Sequence, residues 1–301
     1  MRPIVAPPIT AAGLRRLARG VALGPPPVRR AVVREAIFRL AERVTPALAT
    51  DCDGMRFFVS TRDRVVSVAT FCGGPFELEF LERTVATLAA AGHDVRGRRF
   101  VEVGANIGTT TVPLVRRFGA SGGLAVEPAP DNLRLLRVNL AANDLLDAVD
   151  TLAAAVSDRE GTVTLALDAD NAGDHRLAGP NVTAGATIDV EAVTLDGLAE
   201  RGAIDPADTG LVWIDVQGHE GRVLAGARRL REAGVPFATE FAPDLLRDAD
   251  NLALFLEHAA SFRAVVDLRT PAGERPATDV AALADSYAGA ADPVTDLLLL
   301  P

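Results

Sequence analysis

Apolar positions fall into two textures along the chain. Up to about residue 95 they lie between proline and glycine punctuation at mixed spacings. Over 28–49, Val32, Val33, Ile37, Leu40 and Val44 recur at helical spacing, which predicts an amphipathic helix. Residues 55–71, MRFFVSTRDRVVSVATF, alternate well enough to predict a hairpin turning on Thr-Arg-Asp-Arg. Gly73 and Gly74 then lead into a helical run over 77–91.

From Arg98 onward short apolar runs alternate with helical ones. FVEV precedes a helix to about 118, and LAVE (124–127) a helix to about 143. DTLAAAV and GTVTLAL follow, then LVWIDV with a helix over 220–233. PFATEF, a helix near 245–259, FRAVVDLR and a final DLLLL complete the pattern. Continuous apolar strands alternating with helices predict an α/β fold, a doubly wound and mostly parallel Rossmann-like sheet covered on both faces. It is expected to span 96–301, with 1–95 forming a helical and hairpin cap against it.

Composition narrows the partners. With 49% apolar and 24% charged residues in 301, the chain is that of a globular protein with a sizeable core. A formal net charge of −9 argues against nucleic acid, whose phosphates need concentrated Lys and Arg. Early arginines (Arg15, Arg16, Arg19, Arg29, Arg30, Arg34, Arg39) read as solvated helix faces, although these helices could also pair two subunits. Cys52 and Cys72 are too few for a zinc site or a disulfide framework and read as reduced thiols. No run is long and apolar enough to span a membrane, and prolines and arginines break the first 20 residues, so they lack a signal-peptide core. The expected location is the cytoplasm.

The candidate chemistry begins at FVEVGANIG, 100–108. A loop that leaves a parallel strand at its carboxyl end lies where such sheets bind ligands. A dinucleotide fingerprint requires G-x-G-x-x-G, but Asn106 stands where its middle glycine would be. The spacing here is E-x-G-x-x-x-G, similar to the loop of S-adenosylmethionine-dependent methyltransferases. Such a ligand has no phosphate and an amino-acid tail, so acids and amides suit it. Glu102 could take its ammonium, Asn106 could contact its carboxylate, and Thr109, Thr110 and Thr111 could cap the helix or reach the ligand. Glu127 ends the next strand, where a carboxylate can accept both hydroxyls of a ribose diol. A lone G-x-x-x-G also describes an ordinary tight turn; two acids and two glycines at adjacent strand ends favour a ligand.

Five segments resemble the FkbM-type methyltransferases in that family's order. They are FVEVGANIGTTTVPL, AVEPAPDNLRLLRVNLAAND, AAAVSDREGTVTL, TLDGL and VWIDVQGHEGRVLAGARRLREAGVPFATEF, covering about 98–241. The upstream STRDRVVSVATFCGGPFELEFLE also looks like a lead-in found in some members. The resemblance implies the seven-stranded class I methyltransferase sheet, S-adenosylmethionine as donor and a hydroxyl acceptor on a sugar or natural-product scaffold. It also implies that Gly104, Ala105, Asn106 and Gly108 line the methionine end, with Thr109 and Thr110 beside them and Glu102 beneath. Glu127 would hold the ribose with Pro128 and Asn132 close by, and Val156, Ser157 and Asp158 would cradle the adenine. Asn139 and Asn143 suit ligand contact and helix-face duty equally. Gln217 departs from the family, which commonly has Glu there.

A second polar cluster ends the strand LVWIDV. Of four histidines only His219 has an acid, Asp215, on the adjoining strand end. Moving a methyl group to a hydroxyl requires removal of a proton, and a positioned histidine is the commonest base. Asp215 could orient His219 or take the proton itself. Glu220, Glu240 and Gln217 are acceptor-side candidates. Asp215 and Glu240 with a third oxygen could hold Mg²⁺, but no dense Asp/Glu motif supports a metal. The expectation is an O-methyltransferase acting on a small hydroxylated molecule, with no nucleic-acid or membrane partner and a possible homodimer through the N-terminal region. The alternatives are N-methylation of a peptide or amino-sugar amine, and a cofactor-binding regulatory protein without catalysis.

Overall fold

The computed structural model describes residues 26–178, 185–248, 251–270, 273–290 and 293–301. Arg15, Arg16, Arg19 and the first amphipathic run lie outside them, and so does any pairing of subunits through that run. A helix, Pro26–Ala41, leads into strands β1 (Ala47–Cys52) and β2 (Met55–Ser60). Two differences from the sequence pattern appear here. The helix stops at Ala41 rather than continuing to 49, because Pro46 disfavours helical backbone just before it and the chain then enters β1. The hairpin turns not on Thr-Arg-Asp-Arg but on Asp53-Gly54, both at positive φ, the conformation that two-residue hairpin loops demand. Thr-Arg-Asp-Arg instead starts a helix, Val66–Gly73: the Asp63 carboxylate accepts the backbone N–H of Val65 and of Ser67 at 3.0 and 2.7 Å. The helix Leu78–Ala90 follows as its pattern predicts.

The remaining strands are β3 (Arg99–Val103), β4 (Gly122–Val126), β5 (Val149–Leu152), β6 (Ala155–Val156), β7 (Gly161–Leu167), β8 (Arg176–Leu177), β9 (Ala186–Val193), β10 (Thr209–Ile214), β11 (Phe237–Phe241), β12 (Ala264–Asp267), β13 (Arg275–Pro276) and β14 (Thr295–Leu300). The main sheet has eight strands rather than seven, in the order β13-β12-β14-β11-β10-β3-β4-β5. β14 runs antiparallel to both its neighbours, and the two-residue β13 adds an antiparallel edge. GTVTLAL is not part of this sheet. As β7 it pairs with β9 over seven residues in a separate four-stranded sheet, order β6-β9-β7-β8. β7 and β9 are exposed or half-buried over most of their length, while β3, β4 and β10 are buried nearly throughout.

Two apolar cores cover the faces of the main sheet. One joins Val101, Val103, Ile214, Phe237 and Phe241 to the helices after β10 and β11. The other joins Phe100, Trp213 and Leu136 to Met55, Phe57, Val59 and Leu81 from the first part of the chain. The inner face of β2 is therefore continuous with the sheet's core, and each fully buried side chain of this size contributes roughly 2 kcal/mol.

Two buried asparagines complete that junction. On the helix Pro130–Ala142, Asn139 Oδ1 accepts Phe58 N–H at 2.6 Å, and its amide donates to Phe58 O at 3.1 Å and Ile107 O at 2.7 Å. Asn143, just beyond, accepts Arg56 N–H at 2.9 Å and donates to Arg56 O at 2.7 Å. Two side chains thus stand in for a strand along the free edge of β2. Both asparagines are used in packing.

Candidate active site

Strand register places the site. Val103 is level with Val126 on one side and with Ile214 on the other, so Gly104, Glu127 and Asp215 leave three adjacent parallel strands side by side. Gly104 is needed for this convergence: its φ is +86°, and a Cβ there would lie 1.8 Å from Asp215 O. The tight approach is to the neighbouring backbone, not only to a ligand. Gly108, at φ +89°, lies over the helix Pro130–Ala142, with Leu136 Cδ1 2.8 Å from where a Cβ would be.

Within the loop, Asn106 adopts φ +49° and its N–H donates to Glu127 Oε2 at 2.8 Å, while Ala129 N–H donates to Glu127 Oε1 at 2.8 Å. Glu127 keeps lone-pair capacity for a further donor. Burial pushes Glu127 up to about 7 despite these bonds and Asn132. The side-chain Oδ1 of Asn106 is buried without a hydrogen-bond partner. Glu102 lies beneath the loop and is buried, its carboxyl accepting from the Thr111 hydroxyl at the start of the next helix, Thr111–Arg116. Burial drives it to about 8, so it is mostly protonated at neutrality and ties the loop to that helix.

Asp215 faces the same cleft, and burial raises it to about 6 against the Gln217 amide. Gln217, at φ +53°, donates to Asp215 Oδ1 at 2.7 Å and to Glu240 Oε2 at 3.0 Å. Glu240 stands opposite Asp296 across β11 and β14; burial first, then Asp215 and the other neighbouring carboxyls, hold it well above the ordinary range. Glu220 is buried, and its carboxylate accepts N–H groups of Val216 and Gly218 at 3.1–3.2 Å. It shapes the 216–218 turn rather than facing the cleft. Among the described residues no group of three His, Cys, Asp or Glu is arranged to hold a metal ion.

The hydrogen-bond partner of His219 is Ser157, not Asp215. Nε2 lies 3.0 Å from Ser157 Oγ, which lies 3.0 Å from Asp158 Oδ1. Burial, reinforced by the Arg222 charge, lowers His219 to about 4, with Asp158 opposing, so the ring is neutral at pH 7. The predicted cofactor residues Gly104, Asn106, Glu127, Pro128, Asn132 and Val156 line one cleft with Asp215, Gln217 and His219. Ala105, Gly108, Thr109, Thr110 and Ser157 are not among the residues that line it.

A segment that no sequence motif marks crosses this cleft. Ala172 O accepts from Asn132 Nδ2 at 2.8 Å, and Gly173 and His175 line the cleft. His175 Nδ1 accepts Asp168 N–H at 3.0 Å, which orients its ring. Nothing local marks His175, because Asp168 and His175 meet only through a loop fold. Beyond the cleft a wider groove opens. It runs between β2 (Ser60), the start of the helix Pro130–Ala142 (Asp131, Arg134) and the four-stranded sheet (Ala166, Ile188), reaching His219 and Arg222.

The family described as "Methyltransferase FkbM domain" matches residues 102–258, just over half of the chain. No curated protein matches. Among solved structures, the FkbM methyltransferase of Methylobacillus flagellatus KT is similar at 16% identity and a TM-score of 0.42, over 67% of this chain and 43% of that one. The chain thus spans less than half the length of that relative. M. jannaschii TYW2 in complex with AdoMet is similar at 11% identity and a TM-score of 0.43, over 84% of each chain. An RNA methyltransferase from Salinibacter ruber in complex with S-adenosyl-L-homocysteine is similar at 16% identity and a TM-score of 0.31, over 55% of this chain and 76% of that one. On the extent of the domain match, this chain belongs to the FkbM methyltransferase family.

Proposed function

We propose that the protein transfers the methyl group of S-adenosylmethionine to a hydroxyl of a small acceptor, a sugar or natural-product scaffold. The observation that carries this reading is the single cleft shared by Glu127, the unpartnered Asn106 Oδ1, Asp215 and His219. Glu127 suits a ribose diol, and Asn106 Oδ1, expected from the sequence to meet the carboxylate, is an acceptor suited instead to the ammonium first given to Glu102, whose carboxyl bonds Thr111 beneath the loop. When bound, S-adenosylmethionine supplies a methyl group activated by its sulfonium.

This chain's residues then position the acceptor and hold its proton. As the O–CH₃ bond forms and the S–CH₃ bond breaks, the hydroxyl proton must leave. A hydroxyl has one proton, so the group that accepts its hydrogen bond also takes that proton: neutral His219, bonded to Ser157 through Nε2, is this base, and Asp215 in the same cleft offsets the charge the ring gains. In the wider groove Arg62, Arg134, Arg176 and Arg222 are matched by Asp63, Asp131, Asp168 and Asp174, a balance that suits an uncharged acceptor better than RNA. We further propose that residues 1–95 form the cap that covers this acceptor side, with the methyltransferase domain over 96–301.

N-methylation of an amine is the second reading, favoured by the carboxyl groups of Asp215 and Glu240 that meet at Gln217 and offer acceptors to the N–H groups of a neutral amine. A D215N/H219A double variant that retained turnover would select it. Calorimetric titration with S-adenosylmethionine, S-adenosylhomocysteine and NADH tests the donor: the first two should bind and the third should not. Tight NADH binding without S-adenosylmethionine binding would sink the proposal.

A further inference from the structure

Three polar groups in a row constrain which nitrogen of His219 carries its proton. Ser157 Oγ is 3.0 Å from Asp158 Oδ1 on one side and 3.0 Å from His219 Nε2 on the other. A hydroxyl has one proton to donate. Asp158 is a carboxylate: partial burial raises its pKa, but the Ser157 hydroxyl, Arg159 and Arg222 outweigh that and hold it below its ordinary value. Arg222 Nη1 and Arg159 Nη2 donate to its other oxygen at 3.2 and 3.3 Å. An ionised carboxylate only accepts, so the Ser157 proton points at Asp158 and the remaining Ser157 lone pair must accept from Nε2–H. The opposite assignment would set a hydroxyl lone pair against a carboxylate oxygen at 3.0 Å.

The backbone holds this row in place. Ser157 N–H donates to Val193 O at 2.9 Å, and Gly226 lies so close that a Cβ there would be 2.3 Å from Ser157 O. Among the described hydrogen bonds none involves His219 Nδ1, while the side chain borders both the cleft and the groove. We propose that Asp158 and Ser157 are positioning residues that lock His219 in its Nε2–H tautomer and leave Nδ1 as the acceptor for the substrate's hydroxyl. The role given to Nδ1 rests on the methyl-transfer reading; the tautomer does not. Ser157, expected at the adenine, thereby orients the acceptor side as well.

The test is imidazole ¹⁵N NMR on the full-length, ¹⁵N-histidine-labelled protein at pH 7, with H219Q assigning the His219 signals among the four histidines. The wild type should show Nε2 protonated and Nδ1 unprotonated. Ser157→Ala should give a tautomer mixture, and S157T, which keeps the hydroxyl, should restore the wild-type pattern. Asp158→Asn should shift His219 toward the Nδ1–H form, because an amide can donate to Ser157 and release its proton toward Nε2. An Nδ1–H wild type, or an unchanged S157A spectrum, overturns the proposal. Should S157A fail to fold, the wild-type spectrum alone decides. Because the readout is a spectrum of the ligand-free protein, failure of S-adenosylmethionine to bind would sink the methyl-transfer reading and leave this one standing.

Discussion

Gln217 lies with its amide nitrogen 2.7 Å from Asp215 Oδ1, and the same nitrogen reaches Glu240 Oε2 at 3.0 Å. An uncharged donor thus holds two buried carboxyl groups together. Hydrogen bonds to charged groups contribute about 1.5–3 kcal/mol each. Gln217→Glu should therefore lower stability by roughly 2–4 kcal/mol at pH 8. The deficit should shrink at pH 5.5, where the new carboxyl is protonated and can donate. Chemical denaturation at the two pH values checks this; an equal deficit at both would mean that charge is not the cause.

Glu102 makes stability depend on pH in a definite direction. Its carboxyl titrates near 8 when buried and near the ordinary 4.5 when unfolded, so as pH rises the unfolded chain loses the proton first. Stability then falls between about pH 4.5 and 8, by up to about 4 kcal/mol from this group. Glu102→Gln keeps an acceptor for the Thr111 hydroxyl and removes the titration. Its advantage over wild type should grow from pH 5 to 8, and denaturant midpoints measured across that range would reveal a constant difference if the idea is wrong.

Gly104 and Gly108 share a positive φ but differ in what they approach. An alanine at 104 meets the backbone oxygen of Asp215 at 1.8 Å, which cannot move without displacing β10. At 108 the obstacle is the tip of Leu136, which can rotate. Gly104→Ala should abolish soluble expression or cofactor binding. Gly108→Ala should cost roughly 1–3 kcal/mol, from backbone strain plus local overpacking. Equal behaviour of the two in expression and melting would refute this distinction.

Asn139 carries three hydrogen bonds between the helix Pro130–Ala142, β2 and the loop at Ile107. Removing them with Asn139→Ala leaves buried backbone groups of Phe58 unpaired, at about 2–4 kcal/mol. Hydrogen exchange should show β1 and β2 losing protection while β3 and β10 keep theirs. Uniform loss across both regions would argue that the hairpin is not an independently opening unit.

Glu127→Ala tests the cofactor end of the cleft. Loss of a charge-assisted bidentate contact should weaken S-adenosylhomocysteine binding by on the order of 2–3 kcal/mol, roughly 30- to 150-fold. Unchanged affinity in calorimetry would remove Glu127 from the site.

The apolar runs FVEV, LAVE and LVWI and the helices after them were legible because their signals are local. A strand buried on both faces needs apolar residues throughout, wherever it pairs. The same holds for Glu102, Gly104 and Glu127, which are tied to strand ends by chain order. GTVTLAL was misread for the complementary reason: its composition suits a strand, but nothing in it says which sheet will pair with it. Thr-Arg-Asp-Arg contains turn residues, yet Asp63 found backbone donors at Val65 and Ser67 and started a helix.

Chain order and periodicity were enough to specify an alternating α/β architecture, the order of its strands along the chain and the acids that end two of them. They also separated the glycine loop from a dinucleotide fingerprint. Tertiary structure decided what depends on groups far apart in sequence: the eight-stranded pairing, Gln217 between Asp215 and Glu240, His175 over the cleft, and Ser157 rather than Asp215 as the partner of His219. The physical reason is that strand register and side-chain hydrogen bonding are settled by competition among all the surfaces the folded chain brings together, whereas periodicity reports only how each segment meets an apolar surface.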